Sequence, residues 1–206
     1  MPKDTFFNLP PDKRAKILEV AIDAFSQEHF EKVSVNQIVA NSGISKGSFY
    51  QYFEDKTDLY KHIIQRIIEK KMDYITPVMA NPFEHKFIDV VRDMNLSGIR
   101  FAKENPKFTA IGNFLLKDIK KPFYKEIINQ NQGQAHDVYA MLLKNAIARG
   151  EVREDIDVDF TARFIFKMSS EVILEEIDLD SEKWMDNVIE LLNKFMTLIE
   201  NAIAKK

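Results

Sequence analysis

The stretch Ser34–Leu59, SVNQIVANSGISKGSFYQYFEDKTDL, decides how the rest of the chain is read. Ser34 stands three residues before Gln37, the spacing at which cap and N3 side chains satisfy each other's free backbone donors. A short helix follows, with Val35, Ile38 and Val39 on one face. Gly43 falls where its end needs a left-handed residue, a conformation glycine adopts without steric cost. Ile44 plugs the turn, and Ser45 caps a second helix from Lys46 to about Tyr52. Phe49 and Phe53 are its inward anchors, which leaves Ser45, Lys46, Ser48, Tyr50, Gln51 and Tyr52 for the other faces. A small helix presenting hydroxyls, an amide and a lysine, braced by an apolar hairpin, is what a recognition helix requires. Gly47 in its first turn costs about 0.5–1 kcal/mol relative to alanine, and close approach to a phosphate backbone explains it.

The run Gly43-Ile44-Ser45-Lys46-Gly47-Ser48-Phe49-Tyr50-Gln51-Tyr52-Phe53, followed by Lys56 and Leu59, resembles the DNA-binding signature of the TetR family of bacterial transcriptional regulators. The motif occupies the N-terminal quarter; the remainder is similar only in length and helical character. The resemblance implies an all-α fold of about nine helices. Residues 1–56 would form a helix-turn-helix DNA-binding domain, a helix over 57–76 would link it onward, and 78–206 would bind an effector and dimerise. By motif position, Ser45, Ser48, Tyr50 and Lys56 are assigned to phosphates, and Gln51 with Lys46 to base edges. Tyr52 suits either role, and Ser34 and Gly47 complete the set. The partners implied are a palindromic double-stranded operator, a second copy of the chain and a small hydrophobic effector. Repression is the usual mode of such a family.

Composition narrows the alternatives. The chain has 206 residues, 45% hydrophobic content and a net charge of −3, so binding of nucleic acid by bulk positive charge is excluded, while a small motif-based reader is not. Residues 1–72 carry 11 Lys/Arg against 10 Asp/Glu, and 151–206 carry 7 against 14, which places the negative excess away from the motif. There is no cysteine, hence no disulfide, thiolate metal site or cysteine nucleophile. Neither a signal peptide nor an apolar run of about 18 residues is found, so a cytoplasmic protein is expected. The four histidines, His29, His62, His85 and His136, lack the paired spacing of a helical metal site. His62 lies off the Leu59–Ile63–Ile67 stripe and is expected in solvent. No catalytic motif, metal site or cofactor fingerprint is present, so an enzyme is not expected. The rival of a different class is a helical protein-interaction module that docks a protein instead of DNA.

Along the chain, residues 1–9 form an arm, with Phe6 and Phe7 placed to dock or Lys3 to reach a phosphate. Pro10-Pro11-Asp12 opens a helix buried through Ile17, Leu18, Ala21 and Phe25, ending near His29, where the family usually has glycine and a left-handed turn is expected. Asp55 caps a long helix that ends before Pro77 and carries Leu59, Ile63, Ile67 and Met72. Further helices are expected over 83–103, 107–117, 123–149 (ended by Gly150), 159–175 and, capped by Ser181 after the acidic run Glu175–Asp180, to about Ala204. The last helix carries too much apolar surface for one face, so Trp184, Val188, Leu192, Phe195, Met196 and Ile199 are candidates for a four-helix dimer interface. Phe87, Met94 and Phe101, Tyr139, and Phe164 with Met168 lie at helical spacing on three helices. Ordinary core accounts for each singly; the resemblance implies an apolar effector cavity among them, with Asn113, His136 and Arg100 orienting the ligand's polar end.

Overall fold

Side-chain caps set the borders of the central helices. In the computed structural model, which describes residues 2–117, 123–124, 127, 132–169 and 182–205, Ser34 Oγ accepts from the Gln37 amide at 3.1 Å. Ser45 Oγ accepts from the Ser48 amide at 3.0 Å, and Asp55 Oδ1 from the Asp58 amide at 2.8 Å. Caps of this kind contribute about 1 kcal/mol each. They open α3 (Val35–Ser42), α4 (Lys46–Tyr52) and α5 (Lys56–Met72), which follow α1 (Asp4–Phe7) and α2 (Pro11–Gln27). After α5 come α6 (Pro77–Ala80), a 3-10 turn (Pro82–Glu84), α7 (Phe87–Glu104) and α8 (Pro106–Lys117). The last three are α9 (Gln132–Ala148), α10 (Val158–Lys167) and α11 (Trp184–Ile203). The fold is all-α: no strand occurs among the described residues, which hold an isolated bridge between Val152 and Ala204. The short α1 and α6 are the helices that periodicity did not show. No helix among the described residues is long and apolar enough to cross a membrane.

Gly43 (φ 70°) ends α3 in the left-handed region, where the Ile44 amide reaches back to Val39 O at 3.1 Å. Gly150 (φ 73°) does the same for α9. His29 does not: α2 stops at Gln27, Glu28 is extended at φ −138°, and His29 has no positive φ. The extended residue turns the chain out of the helix one step early, so the left-handed turn expected at His29 does not form. Its ring packs on Phe114 at 4.4 Å. The helix expected from Phe83 starts at Phe87, and Phe83 is exposed. Met72, expected on the α5 stripe, is also exposed. Residues 125–126 and 128–131 of the expected 123–149 helix, the end of the 159–175 helix, the acidic run and Ser181 lie outside the described residues.

The chain divides into two compact units, residues 1–73 with 104–127 and residues 74–103 with 128–206. Residues 104–127, grouped with the body on sequence, pack in the first unit, where α8 lies along α2. That unit is built on Ile17, Phe25, Ile38, Phe49, Phe53, Leu59 and Ile63, all buried. In the second unit, α7, α9, α10 and α11 share one core that includes Val91, Leu143, Ala162, Ile165, Val188 and Leu192.

His62 is the main departure in the first unit. It is 9% exposed, because α1 folds over it and sets Phe6 and Phe7 edge-on to its ring at 5.9 and 6.0 Å. Its Nδ1 is buried without a hydrogen-bond partner. Burial first, then the Arg66 charge, holds its pKa below the ordinary 6.5, against the opposing pull of Glu69 and Asp58. The neutral ring is therefore the folded form. Its contribution is complete above the unfolded pKa near 6.5 and is lost as pH falls through the lower folded value. Melting temperature should drop between pH 7 and pH 5.5, and His62→Gln should flatten that part of the profile. An unchanged slope in the variant would assign the drop to other groups.

Candidate nucleic-acid interface

α4 has seven residues, of which Phe49 and Tyr52 are buried, and Phe53 just beyond it is 0% exposed. Phe49 and Phe53 lie 5.3 Å apart and brace the helix from beneath. Lys46, Gly47, Tyr50 and Gln51 are exposed, and Ser48 is half-buried. A Cβ built on Gly47 would meet nothing nearer than Ser45 Oγ at 3.7 Å. The glycine is therefore not demanded by the chain's own packing, and the surface over it is open to a close neighbour. Ser45 and Ser48 share a hydrogen bond at 2.9 Å, so their hydroxyls sit side by side at the start of the helix. Ser34 is exposed at the start of α3 with its hydroxyl oxygen capping.

Two assigned residues are placed differently. Tyr52 is 7% exposed, because its ring lies 6.3 Å from the Phe6 ring that α1 brings down on it. It is a core residue, and the face it was to present belongs to Tyr50 and Gln51. Lys56 sends its ammonium into the loop before α3, donating to the carbonyls of Phe30 at 2.6 Å and Val33 at 2.7 Å. The same group lies 4.3 Å from the centre of the Phe30 ring. Desolvation lowers its pKa, with Glu31 opposing. A cation already held by two carbonyls and a ring face positions the loop and is not spare for a phosphate. The partners of Tyr52 and Lys56 lie 46 and 26 residues away, which no local pattern reveals.

The other candidate sets fall in the second unit, apart from Asn113, which is exposed on α8 in the first. Phe87 and Tyr139 are buried in the shared core, with Met94 and Met168 packed against it. Phe101 is 5% exposed against Tyr74, whereas Phe164 points outward at 45%. The side chain of His136 lies outside the described residues, and Arg100 is exposed. Val188, Leu192, Phe195, Met196 and Ile199 are all buried within the unit, and Trp184 packs partly against them. They fill the inward stripe of α11. On α10 and α11 the large apolar side chains left outside are Phe160 and Phe164, stacked at 6.4 Å, and Ile189 and Leu198. Among the described residues no three His, Asp or Glu side chains stand close enough to share a metal ion.

The arm is what sequence alone left open. Lys3 and Thr5 reach the far end of α4, a pairing with no signal beyond the apolar Phe6–Phe7 step that carries it.

Comparison with known proteins agrees with this geometry. Residues 17–63, which span most of α2 through the first half of α5, match the model of bacterial regulatory proteins of the tetR family. HTH-type transcriptional regulators of Staphylococcus aureus strains are 38% identical over 121 residues, 57% of this chain. The match spans 64% of those relatives' length. A TetR family transcriptional regulator from Chloroflexus aurantiacus superposes over the whole of both chains with a TM-score of 0.79 at 28% identity. The transcriptional regulator FadR of Bacillus subtilis, solved in complex with stearoyl-CoA, shares the fold at a TM-score of 0.68 and 14% identity, over 90% of this chain and 96% of its own. With the capped hairpin and the open glycine lying inside this match, residues 17–63 are of the tetR-family DNA-binding type, and the chain as a whole is similar to regulators of that family.

Proposed function

We propose that the chain is a homodimeric, ligand-responsive transcriptional repressor that sets α4 in the major groove of each half of a palindromic operator. The observation that carries this reading is the outer face of α4: Lys46, Gly47, Tyr50 and Gln51 exposed over a fully buried Phe49 and Phe53. Gln51 has the donor–acceptor pair that reads adenine, and Lys46 suits guanine. Ser34, Ser45, Ser48 and Tyr50 surround them with hydroxyl donors for phosphates. The N-terminal unit is the DNA-binding part and the second unit the effector-binding and dimerising part. Selection from a random duplex pool tests the reading directly, and a palindrome is the expected result.

The dimer uses the faces of α10 and α11 that their own unit leaves uncovered. Phe160, Phe164, Ile189 and Leu198 present large apolar side chains to solvent, and burying them against a second copy removes that area from water. The effector is an apolar molecule taken up by the second unit. In its support, the fold of FadR accommodates stearoyl-CoA in that protein. Met94, Phe101 and Met168 are the adaptable or peripheral members of the candidate set, while Phe87 and Tyr139 form its floor. Binding there would weaken operator binding by the same factor as the operator weakens the effector.

On DNA, Gln51→Ala should relax discrimination at one or two base pairs by about 1–3 kcal/mol, read as binding to mutated operators. Lys56→Met should lower the melting temperature and leave the salt slope of operator binding as in the parent; a slope smaller by about one would return Lys56 to a phosphate. For the dimer, Phe160→Glu with Leu198→Glu should sediment as a folded monomer that has lost operator affinity. Leu192→Glu should instead unfold the second unit, since it buries an unpaired carboxylate. In a thermal-shift screen, fatty acids, acyl-CoA esters and apolar aromatic compounds should stabilise the protein and polar metabolites should not.

A further inference from the structure

α4 has seven residues, and a helix that short does not persist by itself in water. Its last carbonyls also need donors from outside the helix. All three come from the arm. The Lys3 backbone amide donates to Tyr52 O at 2.8 Å, the Lys3 ammonium donates to Tyr50 O at 3.0 Å, and the Thr5 hydroxyl donates to Gln51 O. The ammonium also meets the Glu54 carboxylate at 3.3 Å. A lysine at a helix C-terminus complements the helix dipole as well. The arm is fastened by Phe6, which is 0% exposed and 4.7 Å from Phe53, and by Arg14, whose guanidinium donates to Phe7 O at 2.9 Å.

We propose that residues 2–7 clamp the C-terminal turn of α4, with Lys3 and Thr5 as positioning residues that hold Tyr50 and Gln51 at the angle needed to read bases. Two of the three carbonyls held, those of Tyr50 and Gln51, belong to residues whose side chains face outward. Fixing Tyr50 O and Gln51 O fixes the backbone from which those side chains project. Lys3 thereby acts on the helix from behind and not on a phosphate. The inference rests on α4 entering DNA, but the clamp itself is measurable without DNA.

The test uses the full chain and the variants Thr5→Val, Thr5→Ser and Lys3→Met, all at exposed positions. Without DNA, hydrogen exchange of the α4 amides should speed up about threefold to tenfold in Thr5→Val and Lys3→Met, the worth of one net hydrogen bond, while α2 is unaffected. Exchange as slow as in the parent would overturn the clamp. On the duplex selected by the parent, Thr5→Val and Lys3→Met should lose about threefold to tenfold in operator affinity, with non-specific affinity and salt slope unchanged and Thr5→Ser restored to parental binding. A Lys3→Met slope smaller by about one, with specific and non-specific binding falling together, would make Lys3 a phosphate contact and refute the positioning role. Failure of the parent to select any duplex would remove the DNA reading instead, leaving the exchange result to judge the clamp.

Discussion

Two turns of helix cannot pay for their own order in water, and α4 has only two. Its outward residues contribute nothing to burial, so the stability must come from beneath and from both ends. Phe49 and Phe53 supply the underside, and fully burying side chains of this size contributes about 1.5–3 kcal/mol each. Ser45 closes the front, the arm closes the back, and α5 begins four residues after α4 ends with its own aspartate cap. The surrounding unit can be understood as the support that lets a short polar helix face solvent in one conformation.

What could be read from the sequence was local. Ser34, Ser45 and Asp55 act within three residues of the donors they satisfy, and Gly43 and Gly150 end their helices by backbone conformation alone. Period 3.6 then gave Ile17, Leu18, Ala21 and Phe25, or Leu59, Ile63 and Ile67, as buried faces, and all are buried. Burial of Tyr52 and His62 depends on Phe6, and the commitment of Lys56 depends on Phe30 and Val33. Those contacts close loops of 23 residues or more, and nothing in a window of a few turns encodes them.

α11 is a different case, because the information was present. Val188, Leu192, Phe195, Ile199 and Ile203 step by four, three, four and four, which is a single inward stripe. Ile189 and Leu198 fall on its flanks. The excess of apolar surface was legible but its two sides were not told apart, and the residues offered for an interface were the ones a monomer needs for itself. On α10 the split is plainer: Ala162 and Ile165 face in, while Phe160 and Phe164 stand on the far side.

The lodging of the Lys56 ammonium among the Phe30 and Val33 carbonyls has a mechanical consequence. α5 is 17 residues long, about 25 Å at 1.5 Å per residue. Its first turn is latched to the segment that leads into α3, and its cap follows directly on α4. A swing of about 5° at the far end of such a rod carries the near end by about 2 Å over its length. With the latch closed, the hairpin travels with the rod as one body, where an unlatched rod would slide past it. Whatever tilts α5 thus changes where the hairpin points and leaves its internal shape intact.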